Sequence, residues 1–153
     1  MEIYDLWTDA SVWQPKLGYG IGGVAAIIIS PQGEKTIIIA KDPLTSNCRA
    51  ELLAVVLGVQ AIPLYSMIRL FTDSSYVIKL IKGAHIKVNK DLAKILRVFL
   101  RNRLCIPEYV KGHSHFALNN EADKLAKYAR EYGPLITEEF RFPVALQKTT
   151  IKG

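Results

Sequence analysis

The sequence predicts a single α/β domain in which a five-stranded mixed sheet is flanked by helices. The chain has 153 residues, within the usual range of one domain, and half of them are hydrophobic. Short apolar runs of strand length alternate with longer runs of helical periodicity, and no repeat, low-complexity tract or linker interrupts them. We expect residues 1–132 to form the domain and residues 133–153 to be a tail with a short extended segment.

The first part of the domain is predicted to be an antiparallel meander of three strands. The turn signal SPQGE joins the second strand to the third. The glycines of GYGIGG match the letters of a dinucleotide-binding loop, but a strand rather than a helix follows them. We therefore interpret them as a flexible lead into the second strand. The predicted strands are residues 3–8, 22–30 and 35–41.

The second part is predicted to alternate helices with two further strands. Pro63 ends the first helix and Gly83 closes the second. A strand–helix–strand crossover should place the fourth strand parallel to the first. The predicted helices are 47–62, 74–81, 89–103 and 119–132, the predicted strands are 67–72 and 105–110, and FRFPVAL in the tail is the predicted extended segment.

Composition narrows the class of protein. The 20 Lys and Arg exceed the 14 Asp and Glu, and this net charge of +6 suits a polyanionic partner such as nucleic acid. The apolar runs are too short to span a bilayer, and MEIYDLW lacks the layout of a signal peptide, so we expect a cytoplasmic protein without membrane partners. Cys48 and Cys105 lack a CxxC or His neighbour, which favours two buried thiols over a metal site or a disulfide.

Two aspartates follow the same local pattern. WTDAS surrounds Asp9 and FTDSS surrounds Asp73, each at the C-terminal end of a predicted buried strand. If these strands are parallel neighbours, the two carboxylates lie side by side, and they repel unless a cation or a proton lies between them. This favours a metal site. The alternative is that Asp73 is only the N-cap of the following helix.

Two further acids lie on predicted helices. Glu51 shares a helix face with Val55 and Val59, the face that should pack on the sheet, where an unpartnered carboxylate costs free energy. The alternative is a first-turn glutamate favoured by the helix dipole. Asp123 lies opposite the apolar side of its helix, which by periodicity alone is typical of a solvated face.

Four motifs in order over residues 4–129 carry a family resemblance. TDAS, RAEL, TDSSYV, and VKGHS followed by NNEADKLA resemble the successive motifs of type 1 ribonuclease H. The resemblance implies the ribonuclease H-like fold and hydrolysis of the RNA strand of RNA/DNA hybrids with two Mg²⁺ ions, for which Mn²⁺ could substitute. It implies that the acidic cluster consists of Asp9, Glu51, Asp73 and Asp123. These oxygen ligands suit Mg²⁺, which would activate water for attack on the scissile phosphate.

The resemblance also assigns a histidine. It implies that His113 is the loop histidine of the family, which shuttles a proton or helps product and metal leave. The alternative is a solvated loop residue. His85 and His115 match no motif position, so we interpret both as structural.

Substrate contacts are predicted around the same motifs. Asn47, before RAEL, matches a position where the family reads the minor groove. Cys48, Ser75 and Ala10 stand where many members carry Asn, Gln and Gly, so hydrogen bonds there should be fewer or come from the backbone. The segment between Asp73 and His113 is too short for the basic protrusion that the resemblance leads one to expect in bacterial enzymes. The predicted substrate-binding residues of the motifs are Ser11, Ser46, Asn47, Ser75 and Asn119.

A basic row on the third helix is predicted to replace the protrusion. Its members are spaced by three or four residues and have a single nearby acid, Asp91, which suits contact with a phosphate backbone. The alternative is a solvated helix face. The row consists of Lys90, Lys94, Arg97 and Arg101.

Three other functions remain open at this point. The chain could be a retroelement-derived or viral nuclease of the same fold, a nuclease that cuts junctions, or a catalytically silent binding module of this fold. The intact set of four acids argues against the silent module. We expect an RNA/DNA hybrid as partner and find no sign of a protein partner.

Overall fold

A mixed sheet with helices on both faces organises the chain. The computed structural model describes residues 1–16, 19–112, 116–136 and 150–152. The strands are β1 (Ile3–Lys16), β2 (Tyr19–Ile29), β3 (Lys35–Thr45), β4 (Met67–Thr72), β5 (Leu104–Tyr109) and β6 (Thr150–Lys152). The helices are α1 (Asn47–Ala61), α2 (Ser75–Ile81), α3 (Lys90–Phe99) and α4 (Ala117–Tyr132).

The strand order is β5-β4-β1-β2-β3-β6. β1, β2 and β3 form the predicted antiparallel meander. β4 pairs in parallel with β1, and β5 pairs in parallel with β4, so the predicted five-stranded mixed sheet is confirmed. The short β6 from the tail adds a sixth strand, antiparallel to β3. FRFPVAL lies outside the described residues.

Alternation along β1 separates two cores. Leu6 is fully buried on the face that α1 covers, where Gly58 leaves room for its side chain. Trp7 points to the opposite face and belongs to a smaller core with Ile27 and residues of α4. Residues 52–59 of α1 are all buried, because α1 is covered by both the sheet and α3.

Some predicted boundaries were wrong. β1 continues to Lys16, well beyond residue 8, because after leaving β4 it remains paired with β2. The glycines at 20, 22 and 23 lie inside β2 and are not a lead into it. α3 ends at Phe99 rather than residue 103, since Arg103 lies in a turn and its guanidinium donates to the Phe99 carbonyl at 2.6 Å and the Ile62 carbonyl at 2.9 Å.

The prediction of two buried thiols was half wrong. Cys48 is the second residue of α1 and is exposed to solvent, whereas Cys105 in β5 is partly buried, and this burial raises its pKa to about 12. Neither cysteine forms a disulfide. Among the residues described, no helix is both long enough and apolar enough to cross a membrane.

Candidate active site

Asp9 and Asp73 meet where two parallel strands diverge. The last parallel pair of β1 and β4 is Trp7 with Phe71, whose rings stack with centroids 4.2 Å apart. Each aspartate lies two residues further along the chain, Asp9 within β1 and Asp73 directly after the end of β4, so their side chains emerge side by side. The prediction that Asp9 ends its strand was wrong, because β1 continues to Lys16. Asp9 instead lies two residues beyond the last parallel pair of β1 and β4.

Asp73 is not the N-cap of α2. Ser74 has that role, because its Oγ accepts a hydrogen bond of 3.2 Å from the Val77 N–H. The Ser74 N–H in turn donates to Thr72 Oγ1 at 3.0 Å. These bonds fix the strand-to-helix turn through its neighbours, and they leave the Asp73 carboxylate outside the helix. The cap alternative is therefore excluded.

Gly112 lies against Asp73. A Cβ atom at Gly112 would lie 3.0 Å from Asp73 Oδ2, closer than side chains normally approach. The segment before the predicted loop histidine therefore packs directly on the acid cluster. His113 itself, like His115, lies outside the described residues, and its role in proton transfer stays a prediction.

The electrostatics of Asp9 show how closely the acids are grouped. Burial raises the pKa of Asp9 to about 7, and the charge of Asp73 acts in the same direction. The Ala10 N–H, which donates to Asp9 Oδ1 at 2.9 Å, opposes this rise. Asp123 adds to it by its charge and by a hydrogen bond to the Asp9 side chain. The environment therefore favours a proton or a cation beside Asp9.

Close packing of α4 on the sheet brings Asp123 to Asp9. Gly23 of β2 has no room for a Cβ atom, which would collide with the backbone of Ala126 and Arg130. The Arg130 Nη1 donates to Ser11 Oγ at 3.0 Å and so ties α4 to β1 just beyond Asp9. Asp123 also binds Lys127 Nζ at 3.0 Å, one helical turn away. The side chain that periodicity placed on a solvated face thus faces the acid cluster.

Glu51 extends the cluster on the other side of Asp73. It is the fifth residue of α1, beyond the first turn, so the first-turn alternative is excluded. Burial raises the pKa of Glu51, contact with the Ser74 hydroxyl lowers it, and the charge of Asp73 raises it further. The half-buried carboxylate therefore has a polar partner and an acidic neighbour at the same edge of the sheet.

The four predicted acids form linked pairs rather than a ring. Asp73 interacts with both Asp9 and Glu51, and Asp9 also interacts with Asp123. Within the described ranges, no three His, Cys, Asp or Glu side chains surround one point closely enough to hold an ion by themselves. The arrangement suits ions that take few ligands from the protein and the remainder from water and substrate phosphate.

The predicted substrate-binding residues are placed in two different ways. Asn47 and Ser75 are exposed at the first positions of α1 and α2. Ser46 caps α1 by accepting from the Arg49 N–H at 3.3 Å, and Ser11 accepts from α4, so both hydroxyls already have protein partners. Asn119 in the first turn of α4 is only 7% exposed. Their contacts with substrate stay predictions.

The basic row faces solvent and has no acidic partner among the described residues. Asp91, the acid closest to it in sequence, forms two hydrogen bonds of 2.9 and 2.7 Å with Arg49 of α1, so it does not neutralise the row. Arg101 is exposed but lies beyond the end of α3, which corrects its predicted place on the helix. In the part of the chain that the structure describes, no ion pair involves Lys90, Lys94, Arg97 or Arg101.

Sequence reasoning missed the residues that hold the acids in place. By local sequence Arg130 is an ordinary helix residue and Ser74 one of several possible caps. The role of Arg130 comes from a contact across the fold and that of Ser74 from the local cap bond to Val77. The glycine pair at 22 and 23 was a usable signal, because glycine inside a strand often marks close approach of another backbone. Gly112 in VKGHS was a weaker signal of the same kind.

Comparisons with known proteins agree with the motifs and the fold. The family model described as RNase H matches residues 1–131. Ribonuclease H of Thermoanaerobacter sp. (strain X514) is 31% identical over 142 residues, which are 82% of this chain and 88% of that relative. Ribonuclease H of Caldicellulosiruptor saccharolyticus is 32% identical over 123 residues, which are 71% of this chain and 84% of that relative.

Solved structures support the fold. LC9-RNase H1, described as a type 1 RNase H with the type 2 active-site motif, superposes with a TM-score of 0.73 at 20% identity and covers 94% of this chain and 81% of its own. RNase H1 of the archaeon Halobacterium salinarum NRC-1 gives 0.62 at 23% identity, with 83% and 96% covered. The resemblance inferred from the four motifs is confirmed, and the chain belongs to the RNase H family.

Proposed function

We propose that this chain is an endoribonuclease that hydrolyses the RNA strand of RNA/DNA hybrids. The reaction uses divalent cations, of which Mg²⁺ is the one we propose. The observation that carries the proposal is the linked set of acids at the sheet edge, in which Asp9 has a pKa of about 7. Membership of the RNase H family and relatives named Ribonuclease H support the same reaction.

The acids present fit hard divalent cations. Asp9, Glu51, Asp73 and Asp123 offer only carboxylate oxygens, and their mutual repulsion is relieved by bound positive charge. These four residues would hold the metal. When bound, the ions supply an activated water and stabilise the charge that develops on the phosphate and the leaving oxygen.

The remaining residues around the acids keep the site in shape. The Ser74 cap fixes the turn that presents Asp73, and the bond from Arg130 to Ser11 holds α4 so that Asp123 stays beside Asp9. Gly112 allows the following loop to approach Asp73 without a clash. Because burial and the neighbouring acids raise the pKa of Asp9, cation binding there competes with a proton.

The substrate would be held by two groups of residues. Asn47 and Ser75 would contact the minor groove, where an A-form-like strand displays its 2′-hydroxyls. Their exposure at the starts of two helices supports this role. The basic row would neutralise backbone phosphates. The ion pair of Arg49 with Asp91 connects these two groups, because it joins the first turn of α1 to the first turn of α3.

A cleavage assay with matched duplexes tests the proposal. We expect the chain to cut the RNA strand of a labelled RNA/DNA hybrid with Mg²⁺ or Mn²⁺ and not in EDTA. RNA/RNA, DNA/DNA and a four-way DNA junction of related sequence should remain intact. Cleavage in EDTA, or equal cutting of duplex DNA, would contradict the proposed function, and preferential cutting of the junction would favour the junction-cutting alternative.

A further inference from the structure

A pocket of about 460 Å³ lies on the face of the sheet that α4 covers, further along β1 than Asp9. None of the described residues that line it belongs to the four acids, to the predicted substrate contacts or to the basic row. It is lined by Trp13, Ile21, Lys41, Arg130 and Glu131.

The pleat of β1 connects this pocket to the acids. The pairing of β1 with β2 is regular from Asp5 to Trp13, so Asp9, Ser11 and Trp13 point to the same face. At about 3.3 Å per residue, Trp13 follows Asp9 by about 13 Å along the strand. This is the length of about four base steps of a nucleic acid strand. A substrate strand that crosses the acids can therefore reach the pocket.

Two cationic side chains meet in the pocket because of a glycine. Ser11, Gly23 and Lys41 are Cα partners across β1, β2 and β3, so they form one row on the sheet. Gly23 in the middle of that row lets α4 approach, which places Arg130 between the two outer members. Arg130 is held there by the hydrogen bond from its Nη1 to Ser11 Oγ.

The chemistry of the pocket combines positive charge with an aromatic face. Among the described lining residues the one acid is Glu131, whose Oε1 lies 3.5 Å from the buried Arg130 Nε, and Lys41 makes no ion pair with any described residue. The described part of the lining thus carries one net positive charge. Trp13 is 56% exposed, whereas Trp7 on the same strand is 8% exposed. A large exposed aromatic side chain beside cations is typical of sites that stack a base and bind its phosphate.

We propose that this pocket binds one unpaired nucleotide of the substrate, with the base stacked on Trp13 and the phosphate bound by Lys41 and Arg130. The faces of paired bases are covered inside a duplex, so the ligand is a nucleotide in a single-stranded extension that adjoins the hybrid. This inference rests on the proposed function, since it names the form of hybrid that the protein binds best: one with an extension a few base steps from the cleaved phosphate.

The test compares binding of one hybrid with a blunt end, a 5′ extension or a 3′ extension of a few thymidines. Dissociation constants are measured by fluorescence anisotropy in EDTA, so that nothing is cut. We expect an extension at one end to tighten binding by at least about fivefold, the lower limit for stacking of one base on an aromatic side chain. In Trp13→Ala and in Lys41→Gln, the ratio of blunt to extended dissociation constants should approach one.

Two matched variants control for general effects. Tyr109→Ala removes an exposed aromatic side chain at β5, near the opposite edge of the sheet, and Lys82→Gln removes an exposed lysine after α2. Both should keep the advantage of the extended hybrid. Thymidine oligonucleotides should also quench the fluorescence of Trp13, the more exposed of the two tryptophans, in the wild-type chain.

The outcomes separate this inference from the proposed function. Equal binding of blunt and extended hybrids, or an advantage that Trp13→Ala retains, overturns the nucleotide pocket but not the nuclease. Absence of hybrid cleavage with metal overturns the proposed function, while the binding ratio in EDTA is still measured. If no hybrid binds at all, both are overturned.

Discussion

Replacing Asp73 with asparagine removes one charge from the acid cluster and keeps the shape of the side chain. The effect on stability follows from Asp9, whose pKa is raised from its ordinary 3.8 to about 7. At 1.36 kcal/mol per pKa unit, this rise corresponds to about 4 kcal/mol of lost folding free energy at a pH above 7. Burial is the largest cause and the charge of Asp73 the second, so we assign about 1–2 kcal/mol of this loss to Asp73.

The expected stabilisation depends on pH in a defined direction. Between the two pKa values, unfolded Asp9 loses its proton while folded Asp9 keeps it, so the free energy of unfolding falls as pH rises. The full penalty applies above about pH 7, where Asp9 is ionised in both states. Asp73→Asn should therefore raise the Tm by about 2–8 °C at about pH 8 and change it little at about pH 5.

Thermal unfolding in EDTA, followed by circular dichroism, measures this effect. Glu34→Gln is the matched control, because it makes the same chemical change at an exposed turn position. No rise at the higher pH, or an equal rise at both, would refute the coupling between Asp73 and Asp9. The same variant should lose hybrid cleavage by about 100-fold or more, the scale for one group that stabilises transition-state charge. Near wild-type turnover would remove Asp73 from the catalytic site.

Two further predictions concern the surroundings of the acids. Gly112→Ala places a methyl group 3.0 Å from Asp73 Oδ2, so we expect turnover to fall several-fold with little change in Tm. Gly83→Ala is the control, because an alanine at its φ of +96° is strained and should lower the Tm rather than the turnover. Unchanged turnover in Gly112→Ala would contradict the close packing of Gly112 on Asp73. Replacing all four residues of the basic row with glutamine should flatten the salt dependence of hybrid binding. The slope of the logarithm of the binding constant against the logarithm of the salt concentration should fall by up to about four, one unit per lost phosphate contact. The control is the double variant Lys82→Gln, Lys124→Gln. If the quadruple variant had the same slope as this control, the row would be only a solvated helix face. The row residues changed are Lys90, Lys94, Arg97 and Arg101.

The sequence was sufficient to predict that Asp9 and Asp73 lie together, because the pattern that surrounds both residues also indicates how β1 and β4 pair. The aromatic residues of WTDAS and FTDSS are Trp7 and Phe71, the last parallel pair of the two strands. Two strands that carry the same pattern, paired at its aromatic position, necessarily present the following aspartates side by side. The resemblance of the motifs then added Glu51, which helix periodicity had already marked as out of place on a buried face.

Asp123 shows what single-sequence reasoning could not reach. Its helix is amphipathic, and periodicity correctly identifies the apolar side without indicating which strand that side meets. The position of α4 depends on a long-range contact, the approach of Ala126 and Arg130 to Gly23. β1 presents the same difficulty, because after Asp9 the strand formers Val12 and Trp13 are mixed with Ala10 and Pro15, which disfavour strands. The segment becomes a strand by pairing with β2.

β1 extends beyond the parallel part of the sheet, and this extension carries residues of both the acid cluster and the nucleotide pocket. One face of this strand presents Asp9 to the acid cluster, Ser11 to Arg130 and Trp13 to the pocket. The hydrogen bond between Ser11 and Arg130 holds α4 at the midpoint, so it fixes Asp123 in one direction and the cationic lining of the pocket in the other. If β1 ended where β4 leaves it, the strand would still carry the residues up to Trp7 but would offer no surface on which α4 and a substrate strand could meet.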